Sequence, residues 1–346
     1  MSVVDAVAAV MFAAVILYAV FGGADFGSGV WDLTAGRDER GAPMRRLIDH
    51  AIGPVWEANH VWLIFILVFL WTGFPQPFAA LMGSLAVPFW LAALGIVARG
   101  AGFAFRKYAP TLAWARLSGV IFAASSLITP FFLGMIAGAI ASGRVPGPGE
   151  PVAGPFEAWL GPTSFLGGAL AVSTCTFTAG VLLSADADRL GDTELAEQIR
   201  FRSLIGAAIT GAVVLTGIPI LVADDETLIE GLLGRAFPLV IISAIAGLTT
   251  ARLLWKRQYR TARLGAGVAV ASVVGGWGVA QYPWLLVDQI TLEDGAGART
   301  ALIGLLAASG LAAVLVVPPL VYLYRLADTN RVGDAKPAAS AKTAEA

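Results

Sequence analysis

Pro54-Val55-Trp56-Glu57-Ala58-Asn59-His60-Val61-Trp62-Leu63-Ile64-Phe65-Ile66-Leu67-Val68-Phe69-Leu70-Trp71-Thr72-Gly73 carries one formal charge, Glu57, and beyond His60 it is almost wholly apolar. An α-helix needs about 20 such residues to cross a hydrocarbon layer of ~30 Å. The stretch therefore predicts a membrane-spanning helix whose first turn alone is polar. Outward from it the same pattern recurs, and apolar runs set against charge clusters predict spans near 3–25, 54–73, 77–99, 115–140, 162–184, 203–222, 235–254, 263–283 and 301–325. The fold class is all-α, a polytopic membrane protein of about nine helices. Residues 1–330 form one transmembrane domain, with a break at the Pro- and Gly-rich 141–161 loop between the first four helices and the last five. The Ala-, Lys- and Glu-rich 331–346 reads as a disordered cytoplasmic tail.

Composition agrees. Hydrophobic residues make up 57% of the 346 and charged residues 14%, with a mean hydropathy of +0.76. Soluble domains carry about 25% charged residues, so lipid is the solvent expected for most of this chain. A net charge of −1 argues against a nucleic-acid partner. The single cysteine, Cys175, excludes an internal disulfide and a cysteine-based metal cluster. Met1 to Val10 hold Asp5 but no Lys or Arg, unlike the positive start of a signal peptide, so the first apolar run is expected to persist.

Charge placement orients the helices. Of 23 lysines and arginines, all but Arg144, Arg235 and Arg299 fall in loops that follow odd-numbered spans or in the C-terminal end. The positive-inside bias then puts the N-terminus outside and the C-terminus in the cytoplasm, which an odd number of spans requires.

Ionisable groups in spans are costly and by default face the bundle interior or a watery path. The main candidates are Asp25 at the inner end of the first span, Glu57 and His60 at the inner start of the second, and Arg99 closing the third. Glu57 and His60, three apart, share a helix face. One reading makes the four a proton relay, with Arg99 tuning the carboxylates and imidazole. The other pairs Arg99 with Asp25 or Glu57 simply to hold three helix ends together. Ser173, Thr174, Cys175, Thr176 and Thr178 crowd the fifth span, where hydroxyls bond back to their own helix or to a neighbour. Asp224, Asp225, Glu226 and Glu230 read as a solvated acidic outer loop. No phosphate loop, zinc-protease motif or dinucleotide fingerprint occurs, no metal site is expected, and no His, Met or Cys pairing suggests haem ligation.

Three motifs carry a likeness. Gly23-Ala24-Asp25-Phe26-Gly27-Ser28-Gly29, then Gly53-Pro54-Val55-Trp56-Glu57-Ala58-Asn59-His60-Val61-Trp62-Leu63-Ile64, then Arg99-Gly100-Ala101-Gly102-Phe103-Ala104-Phe105-Arg106 resemble subunit II of the cytochrome bd family of quinol oxidases. Gly276-Trp277-Gly278 and Ala280-Gln281-Tyr282-Pro283 fit the same family, as do nine spans with an outside N-terminus. The resemblance implies a bacterial plasma-membrane subunit that binds no haem by its own ligands. It would pack on a haem-bearing subunit I, which carries haems b and d and the quinol-oxidising loop, and would help bring protons to the oxygen-reducing haem. A small accessory subunit is compatible with that layout. By position, Asp25 matches the first-span carboxylate, Glu57 the second-span proton-path acid, and Arg99 the third-span arginine tied to haem-site integrity. Ala24 stands where the family often has Phe, Glu57 where Asp is more frequent, and His60 where Gln or Glu is common. Two rival readings remain: a stand-alone secondary transporter, which should show repeated midplane helix breaks, and a purely structural subunit without a proton role.

Overall fold

Ser2 starts the first helix by a reciprocal cap: its hydroxyl accepts from the Asp5 amide, and the Asp5 carboxylate accepts from the Ser2 amide, both at 3.0 Å. From there the chain is helical almost throughout. The computed structural model describes residues 2–36, 38–53, 55–150 and 154–328, so the tail expected at 331–346 lies outside the described residues. In order the elements are α1 (Val3–Leu33), α2 (Asp38–Ile52), α3 (Trp56–Gly73), α4 (Pro75–Ser84), α5 (Ala86–Lys107), α6 (Leu112–Ala141), α7 (Pro162–Arg189), α8 (Thr193–Asp224), α9 (Glu226–Leu233), α10 (Phe237–Trp255) and α11 (Tyr259–Gln281). A short antiparallel pair follows, β1 (Trp284–Leu286) and β2 (Ile290–Thr291), then α12 (Arg299–Leu315) and α13 (Val317–Asp328). Among the described residues nine helical stretches are long and apolar enough to span a membrane, the ninth running from Arg299 to Leu323 across α12 and α13. The bend there precedes Pro318 and Pro319, which cannot donate to the preceding turn.

Several spans are longer than hydropathy predicts, and one is displaced. The third was expected over 77–99; instead α4 stands apart, and α5 runs on to Lys107. Arg99 therefore lies well inside a helix rather than closing it. Hydropathy reports where lipid ends, whereas a helix continues as long as its charged side chains find partners. Arg99 and Arg106 both do. Likewise α1 continues eight residues past Asp25, and α8 starts at Thr193, capped by Asp192, whose side chain accepts from the Leu195 amide at 3.0 Å.

At the centre stands α1, packed against α2, α3, α6, α7, α11 and α12. Glycine sets the closest approach: a Cβ on Gly27 would sit 1.9 Å from the Cys175 carbonyl oxygen, so α1 and α7 meet backbone to backbone. Two apolar cores flank this waist. One, around Trp31, Phe103, Phe122 and Phe177, lies at the end where α1 finishes and the arginines gather, here called the basic end. The other, around Val7, Phe69, Phe74 and Leu302, includes Leu286 and Ile290 of the strand pair.

Hydropathy predicts a loop between the first two spans, and the structure has the helix α2 there. Its Met44, Leu47, Ile48 and Ile52 are buried, at the three- and four-residue spacing of a helix face, and they close the basic-end core. That period was present in the sequence, hidden among arginines.

Candidate functional site

Asp25 sits 6% exposed on α1, and its environment is built by four helices. From α3, Asn59 donates its side-chain amide to the Asp25 carboxylate and, at 3.4 Å, to the Phe21 carbonyl. From α1 itself, the Ser28 hydroxyl donates to the Asp25 main-chain oxygen at 2.5 Å. From α5, Arg99 reaches the same oxygen with Nη2 at 3.0 Å, while its Nε donates to the Ser126 hydroxyl of α6 at 3.1 Å. Ser126 passes the chain on to the Phe122 carbonyl at 2.6 Å. Arg99 is 1% exposed, and its guanidinium lies 5.1 and 5.3 Å from the Phe26 and Phe122 ring centres. A buried charge is tolerable only when hydrogen-bonded and electrostatically offset. Here two acceptors, two ring faces and a neighbouring carboxylate do that together.

The four residues singled out in the sequence do not converge on one point. Asp25 and Arg99 do, although Arg99 meets α1 through a carbonyl rather than through the expected ion pair with a carboxylate. His60 lies at the margin, with ring centres of Tyr18, Phe26 and Trp56 at 6.2, 6.1 and 6.4 Å. Its Nδ1 and the Tyr18 hydroxyl are buried with no hydrogen-bond partner among the described residues. Glu57 is exposed on the outside of the bundle. It shares an outer stripe with exposed Val61, Ile64, Val68 and Trp71, four and three residues apart. Two residues on a helix are about 200° apart, so the side chain α3 turns towards Asp25 is Asn59. It stood inside the motif, but being uncharged it drew no attention.

A second set of charges was also missed. Asp32 accepts from Arg45 at 3.0 Å and from Arg106, which also bonds Asp49. Asp32 follows Asp25 by seven residues, as Arg106 follows Arg99. Two turns of helix thus repeat the acid–arginine juxtaposition nearer the basic end, a spacing legible in the sequence. At the opposite end the acidic loop is more than solvated. Asp224 bonds Arg144 and takes the Thr163 amide at 3.1 Å and hydroxyl at 2.6 Å. Asp225 caps α9 through the Leu228 amide at 2.9 Å. Burial, with Asp224 and Asp288 nearby, pushes the Asp225 carboxyl up to about 6, and the Asp224 carboxylate holds the Arg144 guanidinium above its usual value. In the fifth span the back-bonding expected of hydroxyls occurs at Ser173 and Thr176, to the Leu170 and Val172 carbonyls. Thr178 makes no such bond.

A cleft of about 570 Å³ reaches the site, lined by residues of α1, α2, α3, α7 and α11. Asp25, Ser28 and Asn59 line one part of it, and His50, Asp186, Arg189 and Arg263 another.

Fold and site together define a class: a polytopic α-helical membrane protein with a polar, arginine-anchored carboxylate site inside its bundle. The family model described as cytochrome bd terminal oxidase subunit II matches residues 4–327, and the chain belongs to that family. Among similar proteins is the cytochrome bd ubiquinol oxidase subunit 2 of Bacillus subtilis (strain 168), 33% identical over 114 residues, a stretch covering 33% of each chain. The alignment thus spans about a third of that relative's length. A chain of the bd oxidase structure from Geobacillus thermodenitrificans has the same fold, with a TM-score of 0.79 over 94% of this chain and 98% of that one, at 24% identity.

Proposed function

We propose that this protein is subunit II of a bd-type quinol:oxygen oxidoreductase of the bacterial plasma membrane, and that it conducts protons from the cytoplasm towards a haem-bearing subunit I. The family supports the first part, and one observation carries the second: Asp25, a carboxylate inside a membrane bundle, lines a cleft that extends to the charged residues of the basic end. Such a group is expensive in a lipid-embedded bundle and is retained for function by default. Asp25 takes up the proton, Asn59 orients its carboxyl, and Arg99 supplies a fixed positive charge beside it. His60 lies between this site and the Trp56 side of α3, where it assists. Glu57, on the exposed stripe, meets whatever packs on α3, so it belongs to the exit towards subunit I.

The haems b and d fit the partner chain. Haem iron needs an axial side chain facing room for a macrocycle. His60 is hemmed by three aromatic rings, and His50 sits among charged side chains at the rim of the cleft. Among the described residues no cluster of His, Cys, Asp or Glu is arranged for a metal ion. On this reading quinol oxidation and oxygen reduction are the partner's chemistry.

The test uses the intact complex. Purified through this chain, it should bring a haem-bearing partner. Asp25→Asn should keep the Asn59 contact and the haem content while slowing oxygen consumption by roughly a hundredfold, the usual reach of a proton-transfer group. Wild-type turnover in that variant would remove Asp25 from the path.

A further inference from the structure

We propose that the cleft between α1, α7 and α11 binds one anionic phospholipid. Its phosphate sits on Arg189 and Arg263 at the basic end, and an acyl chain lies between α1 and α11. The site is independent of the proton role of Asp25.

The helices α1 and α11 close on each other at one end only. Away from the arginines the Phe12 ring lies so near Gly278 that a Cβ there would come within 2.4 Å of it. A Cβ on Gly275 would be 3.8 Å from Ile16, and one on Gly267 would be 3.9 Å from Val20. The cleft starts beyond the tight contact, at Ile16 and Ala271, so it is a wedge that widens towards the basic end. Its walls there are apolar, with Ile16, Leu17 and Val20 on α1 and Leu264, Val268 and Ala271 on α11. It also opens sideways, because Leu264 and Val268 line it while 72% and 48% exposed. The solvent on that side is hydrocarbon, so an acyl chain enters laterally. From Arg263 to Ala271 α11 rises about 12 Å at 1.5 Å per residue, close to the ~15 Å depth of half a hydrocarbon layer. The chain runs on the α11 side of the cleft, whereas Asn59, bonded to Asp25, lines its α3 side.

The rim supplies the counterpart of a headgroup. It is lined by two guanidinium groups and one carboxylate: Asp186 stands 3.3 Å from Arg189 of its own helix and 3.5 Å from Arg263 of α11, with His50 of α2 on the same rim. Positive charge is therefore in excess where the glycerol end of the lipid emerges. The arginine side chains stay 19% and 31% exposed beside a 9% exposed carboxylate, so the cations rather than the anion are presented to a ligand. Asp186 holds the two arginines together across α7 and α11. Their planar forks match phosphate oxygens, and basic pockets between membrane helices recognise anionic headgroups in this way. Charged rim and apolar wedge together have the polarity of one amphiphile.

The intact complex, purified in detergent, tests this with two variants. Gly267→Leu puts a branched side chain where the acyl chain lies. Arg189→Gln combined with Arg263→Gln removes the phosphate partners, leaves the apolar walls, and still offers donors to Asp186. Haem spectra and co-purification of subunit I establish that each complex is assembled, and the glutamine pair reads the headgroup whether or not Gly267→Leu assembles. Native mass spectrometry should find one phospholipid fewer on Gly267→Leu than on wild type. Stripped of lipid and offered phosphatidylglycerol and phosphatidylcholine in equal amounts, wild type should prefer phosphatidylglycerol roughly tenfold, and the glutamine pair should show no preference. The same lipids retained equally by wild type and both variants overturn the site. So does a wild-type complex that holds no phospholipid, since a partner chain then covers the cleft. A quinone in place of phospholipid, lost from Gly267→Leu, overturns the phosphate recognition.

Discussion

Arg99→Lys and Arg99→Met separate the charge of Arg99 from its geometry. The guanidinium uses Nε on Ser126 of α6 and Nη2 on the Asp25 carbonyl of α1, 3.1 and 3.0 Å away, and lies against two phenyl rings. A lysine keeps the charge but offers one compact ammonium, which cannot span both acceptors. One charge-assisted hydrogen bond is lost, about 1.5–3 kcal/mol, and the ring contacts weaken by about 1 kcal/mol. About 3 kcal/mol of destabilisation is expected, with a buried, under-bonded charge left behind. Methionine removes the charge altogether and leaves no orphan donor: Ser126 keeps its bond to Phe122, and the Asp25 carbonyl keeps Ser28. It does, however, leave the buried Asp25 carboxylate without its neighbouring cation, and removing one partner of a buried pair costs about 3–5 kcal/mol, so Arg99→Met should cost at least as much stability as Arg99→Lys. The assay is the thermal denaturation midpoint of the purified complex, read at this chain, with oxygen consumption alongside. Arg99→Lys should fall by several degrees and Arg99→Met by at least as much, and turnover should suffer more in Arg99→Met, which lacks the fixed charge beside Asp25. An Arg99→Lys complex as stable as wild type would refute the two-acceptor argument.

Asp225 gives a pH prediction. Its carboxyl is raised from about 3.8 to about 6 by burial, so the folded chain binds more protons than the unfolded one between those values, and stability falls as the pH rises through that window. Asp225→Asn preserves a side-chain oxygen for the Leu228 cap and abolishes the titration; it should match wild type near pH 4 and exceed it above pH 6 in denaturation assays. Gly27→Ala places a methyl carbon 1.9 Å from the Cys175 carbonyl, against backbone that cannot swing aside. The α1–α7 contact should open and assembled complex should be lost from membranes; normal yields would show that α1 can shift without consequence.

Much of this molecule was legible in its residues because lipid is a demanding solvent. Backbone polar groups must be satisfied inside each span, so runs of about 20 apolar residues declared nine helices, and arginine placement declared which ends gather charge. The motif around Gly53–Ile64 carried the family likeness, and Asp25 and Arg99 stood out because ionised groups in spans are rare. What composition could not decide was rotation. Hydropathy locates a helix along the membrane normal but says little about which side faces which neighbour, and that is settled by packing at places such as Gly27 against Cys175. Rotation put Glu57 outside and Asn59 inside, two residues apart. It turned Arg99 of α5 inward, where a carbonyl, a hydroxyl and two phenyl rings hold it. It also brought Thr178 and Asp186 of α7 onto one cleft with Asp25 of α1, more than a hundred residues away in sequence. Which segments cross the membrane follows from the free energy of transfer to lipid, a property of each segment alone; which side chains meet follows from how neighbouring helices interlock, a property of none of them singly.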